Sequence, residues 1–233
     1  MKAIILAGGK GTRLKPYTTN FPKPLMPVGD KPILEIVINN LREAGILDIY
    51  ITIGHLSEMF RLFFGDGSKF GVNIKYSVED KPLGTAGPIK LLKNELDEDF
   101  IVMNGDILSD LDFSELLDFH KKNRNIATVS TAIRQVYVDF GLVELDKNQN
   151  YTRWNEKPTI EYLVSMGIYV FSKKVLNYLP DEEHFGIPNL IQILHKKEQK
   201  IMGFIHKGYW LDIGRPDDYE KACLDFSENN GKK

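Results

Sequence analysis

The chain has 233 residues, 42% of them hydrophobic and 27% charged, and 30 Lys and Arg against 32 Asp and Glu give a formal net charge of −2. That length and apolar content suit one α/β domain with a substantial core and exclude a disordered chain, while the balanced charge, with no basic stripe, excludes a nucleic-acid binder. The single cysteine, Cys223, excludes an intrachain disulfide and a multi-cysteine zinc site.

The N-terminus lacks the layout of a secretory signal, and no apolar run nears the roughly 18 residues needed to span a bilayer; a cytoplasmic protein with no membrane partner is expected. Residues 3–6 read as a buried strand. Apolar Ile33, Leu34, Val37, Ile38 and Leu41 recur at helical spacing, predicting a helix over 31–44 that stops at Gly45. A strand at 49–53 follows, then a helix over 57–64 capped by Ser57, a strand at 73–78 and a helix over 85–96 with Pro88 in its first turn. A strand at 100–103 and an amphipathic helix over 112–123 complete this half.

Strands alternating with helices imply a mostly parallel, Rossmann-like sheet covered on both faces. The pattern then shifts to strands at 127–133, 140–145, 151–156 and 164–171 with short links, predicting a smaller antiparallel portion. Helices near Val175 and Ile187, a strand at 201–205 and a helix from Pro216 close the chain. One domain over 1–227 is expected, with halves at about 1–125 and 126–227, followed by a frayed polar tail at 228–233.

The first strand ends in Ala7-Gly8-Gly9-Lys10-Gly11-Thr12-Arg13-Leu14. Glycines permit positive φ and close ligand approach, and successive N–H groups form a concavity for phosphates. Residue 14 is not glycine and no Gly-Lys-Ser/Thr ends the loop, so neither the dinucleotide fingerprint nor the Walker A motif is present. Pro16, Pro22, Pro24, Pro27 and Pro32, five of eleven prolines, stiffen the continuation of the loop. Arg13 and Lys23 on this rigid segment suit a triphosphate.

The string from Gly8 through Thr12-Arg13-Leu14, Pro16, Thr18 and Pro22-Lys23-Pro24-Leu25 resembles the signature of the sugar-1-phosphate nucleotidyltransferases, and the likeness covers almost the whole chain. Later segments fit in order: Glu79, Leu83-Gly84-Thr85-Ala86-Gly87, Asn104-Gly105-Asp106, Phe140-Gly141, Glu156-Lys157-Pro158, Met166-Gly167-Ile168-Tyr169 and Trp210-Leu211-Asp212-Ile213-Gly214. The resemblance implies that Arg13 and Lys23 hold and activate the triphosphate. It places Leu6, Ala7, Gly8 and Gly9 against base and ribose, with Gly11 and Thr12 in the same nucleotide loop. On the same resemblance Glu79 and Gly84 are expected at the base, with Thr85 in the nucleotide site, and Asp106, with Asp212 completing the site, is expected to bind Mg²⁺. Asn104, Gly141, Glu156, Lys157 and Gly167 are expected to form the sugar 1-phosphate pocket, with Lys157 at the acceptor phosphate. Ser165-Met166 departs from the Asn or Thr often found before the Gly-Ile-Tyr run, and the C-terminal β-helix of longer members is not expected.

The implied reaction needs no strong base, because a phosphomonoester with a second pKa near ~6 is already anionic at neutral pH. Asp106 follows a buried strand and Asp212 sits among apolar neighbours, an unusual place for an acid unless paired or ligated. The five histidines show no ligand-like spacing and read as structural or solvated. Trp154 and Trp210 read as partly buried. The partners implied are a nucleoside triphosphate, with GTP favoured, and a sugar 1-phosphate; a homo-oligomer is allowed. Two alternatives stay open: a nucleotidyltransferase using another base or a non-sugar acceptor such as phosphocholine, and a silent nucleotide-sugar-sensing subunit.

Overall fold

The computed structural model describes residues 1–9, 11–54, 56–181 and 183–230. In chain order the regular elements begin with β1 (Lys2–Leu6), β2 (Pro27–Val28), β3 (Lys31–Pro32), α1 (Ile33–Glu43), β4 (Asp48–Ile53) and α2 (Ser57–Phe64). Next come β5 (Asn73–Val78), α3 (Gly87–Leu91), β6 (Phe100–Asn104), β7 (Ile107–Ser109), α4 (Phe113–Asn123) and β8 (Ala127–Tyr137). The remainder is β9 (Leu142–Leu145), β10 (Tyr151–Asn155), β11 (Thr159–Phe171), α5 (Ile187–Lys196), β12 (Ile201–His206), β13 (Trp210–Asp212) and α6 (Pro216–Asn230).

Seven strands form one sheet in the order β12-β8-β11-β6-β1-β4-β5. β1 pairs in parallel with both β4 and β6, β4 with β5, and β12 with β8, while β11 runs antiparallel between β6 and β8. From β1 the chain first builds outward through β4 and β5, then crosses back to place β6 on the other flank. The carboxyl ends of β1 and β6 therefore border a topological switch point, where open α/β sheets bind ligands. The expected mixed, mostly parallel sheet with a smaller antiparallel part is observed.

Each face of the sheet has its own core. Ile5, Ile51 and Ile101 pack with Leu34, Val37, Ile38 and Leu41 of α1 on one face; Ile4, Val102 and Phe171 pack with Leu190 and Leu194 of α5 on the other. The apolar positions that predicted α1 are all buried. Asp112 caps α4 by accepting from the backbone N–H groups of Ser114 (2.7 Å) and Glu115 (3.2 Å).

Several boundaries differ from the sequence reading. The helix expected over 85–96 is only α3, Gly87–Leu91, with Pro88 in its first turn and turns beyond it. Lys31 and Pro32 pair as β3 instead of opening α1. Ser57 lies inside α2, and Leu56 holds the cap position at φ 60°. The helix near Val175 is a 3₁₀ stretch, Lys173–Tyr178. Both β8 and β11 run farther than expected, since Gln135-Val136-Tyr137 and Thr159-Ile160-Glu161 pair across an arm beyond the sheet. α6 continues to Asn230, so residues 228–230 are helical; Lys10 and 231–233 lie outside the described residues. No helix among the described residues is long and apolar enough to cross a membrane.

Candidate active site

The cleft at the switch point is built by alternation of buried and exposed neighbours. In the turn after β1, Leu14 is fully buried while Arg13 is exposed. Leu14 packs in a third core cluster with Met26, Val28, Leu211 and Ile213. The same cluster thus holds Leu14, next to Arg13, and the two neighbours of Asp212, whose side chain stays partly exposed.

Lys23 is fixed by its stiff surroundings. Gly11 adopts φ 59°, Thr18 donates its hydroxyl to the Gly11 carbonyl at 2.7 Å, and a Cβ on Gly11 would lie 3.3 Å from the Lys23 Cβ. Leu25, 1% exposed, anchors the 3₁₀ turn that Lys23 opens. Gly105 brings the third component close: its N–H donates to the Leu6 carbonyl at 2.9 Å, and a Cβ there would lie 3.2 Å from that oxygen and 3.5 Å from the Pro24 ring. Asp106 is thereby carried beside Lys23. The ladder between β7 and β13 sets Asp212 opposite Ile107, and the Ile213 N–H donates to the Asp106 carbonyl at 3.1 Å. Neither short strand was apparent in the sequence.

The result is a compact charge cluster. The Lys23 ammonium pairs with Asp106 Oδ2 and stands 4.0 Å from Asp212 Oδ1. Burial, then the charge of Asp106, pushes the Asp212 carboxyl above the ordinary aspartate range, with Lys23 and Arg13 opposing. Asp106 Oδ1 is buried with no hydrogen-bond partner. No group of three or more His, Cys, Asp or Glu able to hold a metal ion stands together among the described residues. Two carboxylates with an unpartnered oxygen do fit Mg²⁺, which is commonly held by one or two carboxylates with phosphates completing its shell.

A cleft of about 410 Å³ lies over this cluster. Leu6, Ala7, Gly8, Gly9, Gly11, Thr12, Arg13, Lys23, Glu79, Gly84, Thr85, Asn104 and Asp106 all line it, together with Pro24, Thr52, Pro82 and His184. Glu79 is half-buried, which raises its carboxyl above the usual range, and its Oε2 accepts the Leu83 N–H at 3.0 Å.

The wall around Gly84 comes from both halves of the chain. The Phe185 N–H donates to the Leu83 carbonyl and the Ala86 N–H to the Phe185 carbonyl, each at 2.8 Å. Gly84 has φ 78°, and a Cβ there would lie 2.7 Å from the Phe185 carbonyl oxygen, so its glycine serves this backbone approach. The Thr85 hydroxyl accepts the Ile187 N–H at 2.8 Å and closes the first turn of α5, a structural duty the sequence did not reveal. His184, read from sequence as structural or solvated, is a cleft residue; it is carried there by its neighbour Phe185, whose bonds to a loop one hundred positions away left no local signal.

The residues assigned to a sugar phosphate fall into two groups. Gly167, at φ 73°, abuts Asn104, whose Nδ2 would lie 2.7 Å from a Cβ there. Gly141, Glu156 and Lys157 gather on the β9–β10 side. A Cβ on Gly141 would lie 2.6 Å from the Trp154 ring and 2.9 Å from Glu156 Oε2, the Trp154 indole donates to Glu156, and Lys157 pairs with Asp139 at 3.1 Å. This second group does not line the cleft, and Trp154 is exposed, not partly buried. Trp210 is partly buried, as expected, and donates to the Met166 carbonyl at 3.0 Å.

A phosphate-type loop at the switch point of a mixed α/β sheet, with cations and carboxylates converging on it, defines a nucleotide-handling enzyme site. The chain belongs to the nucleotidyl transferase family, whose model matches residues 2–229. It is 34% identical to a UTP–glucose-1-phosphate uridylyltransferase of Synechocystis sp., over 95% of this chain and 62% of that protein. It is also 34% identical to a mannose-1-phosphate guanylyltransferase of Mycobacterium tuberculosis, over 96% of this chain and 64% of that one. The chain thus spans less than two thirds of these relatives' length. A solved structure described as a glucose-1-phosphate thymidylyltransferase, from Bacillus anthracis, superposes with a TM-score of 0.79 at 27% identity, covering 97% of this chain and 95% of that one.

Proposed function

We propose that the chain transfers a nucleoside monophosphate from a nucleoside triphosphate, GTP by preference, to a sugar 1-phosphate, releasing pyrophosphate. The observation that carries this reading is the meeting of Arg13, Lys23 and Asp106 in the cleft at the switch point, with Asp212 beside Lys23. Residues 1–125 hold the nucleotide and 126–227 supply the acceptor side.

An oxygen of the acceptor phosphate forms a bond to the α-phosphorus while the bond from that phosphorus to the β-phosphate oxygen breaks. The attacking phosphate is already anionic at neutral pH, so no side chain has to remove a proton. Catalysis is positioning and charge neutralisation. Arg13 and Lys23 face the triphosphate, and the backbone at Gly8, Gly9 and Gly11 cradles it. Gly167 and Asn104 border the acceptor, and Lys157, once freed from Asp139, neutralises its phosphate. Asp106 and Asp212 would hold Mg²⁺, which supplies positive charge against the phosphates when bound.

The base preference rests on Glu79. Guanine alone among the common bases presents two adjacent N–H donors, N1–H and N2–H, on its pairing edge, and a carboxylate accepts both. Uracil and thymine set carbonyl oxygens on both sides of a single N–H and meet the same carboxylate with repulsion. A pyrophosphate-release assay over four triphosphates and a panel of sugar 1-phosphates and phosphocholine tests the reading. The highest turnover is expected with GTP and a sugar 1-phosphate. Turnover only with phosphocholine would move the acceptor, and nucleotide binding with no turnover would make the chain a sensor.

A further inference from the structure

The cleft carries a cation of its own. The Lys23 ammonium sits between two carboxylates, paired with Asp106 and 4.0 Å from Asp212, and its side chain is only 8% exposed. A buried ammonium loses hydration and is stable only where anions replace it. Here they are the same two groups that fit a metal ion. The remaining Asp106 oxygen, Oδ1, is buried and unpartnered, so the pair is held by Lys23 but not saturated by it. The Arg13 guanidinium borders the same cluster: it would stand 3.5 Å from a Cβ on Gly214, beside Asp218 Oδ2 at 3.6 Å and Asp212 Oδ1 at 3.7 Å.

We propose that Lys23 is the resident cation of the Asp106–Asp212 pair and keeps it closed to divalent metal until a triphosphate draws the ammonium away. A divalent ion approaching this pair meets a buried like charge on its own ligands. A triphosphate offers that ammonium new anionic partners in the same cleft, which removes the obstacle. Metal and nucleotide then bind with positive coupling, and the coupling is reciprocal: each raises the other's affinity by the same factor. Lys23 changes partner, from carboxylate to phosphate, within one binding event. The proposal rests on reading the cleft as the triphosphate site, but its test uses neither base nor acceptor.

The test follows protein-bound Mn²⁺ by water-proton relaxation enhancement, which separates slowly tumbling protein complexes from Mn²⁺ on free phosphate. Inorganic triphosphate serves as the anion. The wild-type protein alone should bind Mn²⁺ weakly, and the triphosphate should tighten binding by about tenfold or more, within the usual range of coupling between sites. Lys23→Met alone should bind Mn²⁺ about tenfold more tightly than wild type alone, and should gain less from triphosphate than wild type does. Lys23→Arg, which keeps the charge, should stay close to wild type. Adding Asp106→Asn to Lys23→Met should abolish the gain. Equal or weaker Mn²⁺ binding by Lys23→Met would overturn the proposal, as would a gain that survives in the double variant or a wild type indifferent to triphosphate. A base or acceptor other than the one proposed leaves these outcomes unchanged.

Discussion

The Glu79 carboxylate occupies the space that a side chain at residue 8 would take: Oε1 lies 2.5 Å from where a Cβ on Gly8 would stand. The other oxygen is tied to the Leu83 N–H at 3.0 Å, so the carboxylate is held over the glycine loop from one side only. Gly8→Ala must therefore move the carboxylate without moving the backbone. Because the clash is with the end of a side chain, the melting temperature should change little. GTP affinity should fall by about tenfold or more, roughly 1.4 kcal/mol, in a calorimetric titration. Unchanged affinity would mean that the base is not read at this carboxylate.

Removing the negative charge from Glu79 tests base choice directly. Glu79→Gln keeps the size but turns one acceptor into a donor that opposes guanine. The ratio of kcat/KM for GTP over UTP should drop by about 10- to 100-fold, matching the roughly 1–3 kcal/mol cost of leaving buried donors unpaired. pH gives a second readout. Burial raises the Glu79 carboxyl above its ordinary value, with the Leu83 N–H opposing. A raised value means that the proton binds at higher pH than on a free glutamate, so the anion that guanine needs is lost early as pH falls. KM for GTP should rise on the acid side in wild type and stay flat in Glu79→Gln. Parallel profiles for the two proteins would remove Glu79 from base recognition.

Asp106→Asn and Asp212→Asn should each fold and each lose Mg²⁺-dependent turnover. The loss should be larger for Asp106, which is tied directly to Lys23 and carries the unpartnered oxygen. Kinetics over a Mg²⁺ series, with circular dichroism as the folding control, decide it. Full activity in either variant would remove that residue from the metal site.

Much of this architecture could be read from residue order, and for local reasons. The period of Ile33, Leu34, Val37, Ile38 and Leu41 reports a buried helix face directly, and the glycine and proline pattern from Gly8 to Pro24 encodes a rigid loop in contiguous residues. What escaped depends on partners far away in sequence. β7 and β13 are three residues each, too short for a period, and exist because Ile107 and Asp212 meet across the ladder. Thr85 lines the cleft, but that its hydroxyl also accepts the Ile187 N–H has no signal in its own neighbourhood. His184 enters the cleft only because Phe185 hydrogen-bonds to the loop around Gly84. The helix expected to continue to residue 96 ends at Leu91, where turns take over from an apolar pattern that still suits a helix.

Stability below neutral pH should depend on His120, which lies outside the cleft on α4. The residue is 1% exposed; its Nδ1 is 2.8 Å from the Thr128 hydroxyl, and its Nε2 has no hydrogen-bond partner. Burial lowers its pKa below the ordinary 6.5. Asp99, 3.7 Å away, works against that shift, and Lys121 adds to it. The unfolded chain therefore takes up a proton at higher pH than the folded one. As pH falls below about 6.5, the unfolded state binds more protons and gains free energy, so stability declines toward the depressed folded value. His120→Gln keeps a polar partner for Thr128 and has nothing to protonate. Its melting temperature should fall less than that of wild type between pH 7 and pH 5, about the window in which a free histidine charges. Equal slopes for the two proteins would show that His120 takes its proton as readily folded as unfolded, and that carboxylates elsewhere set the acid limit.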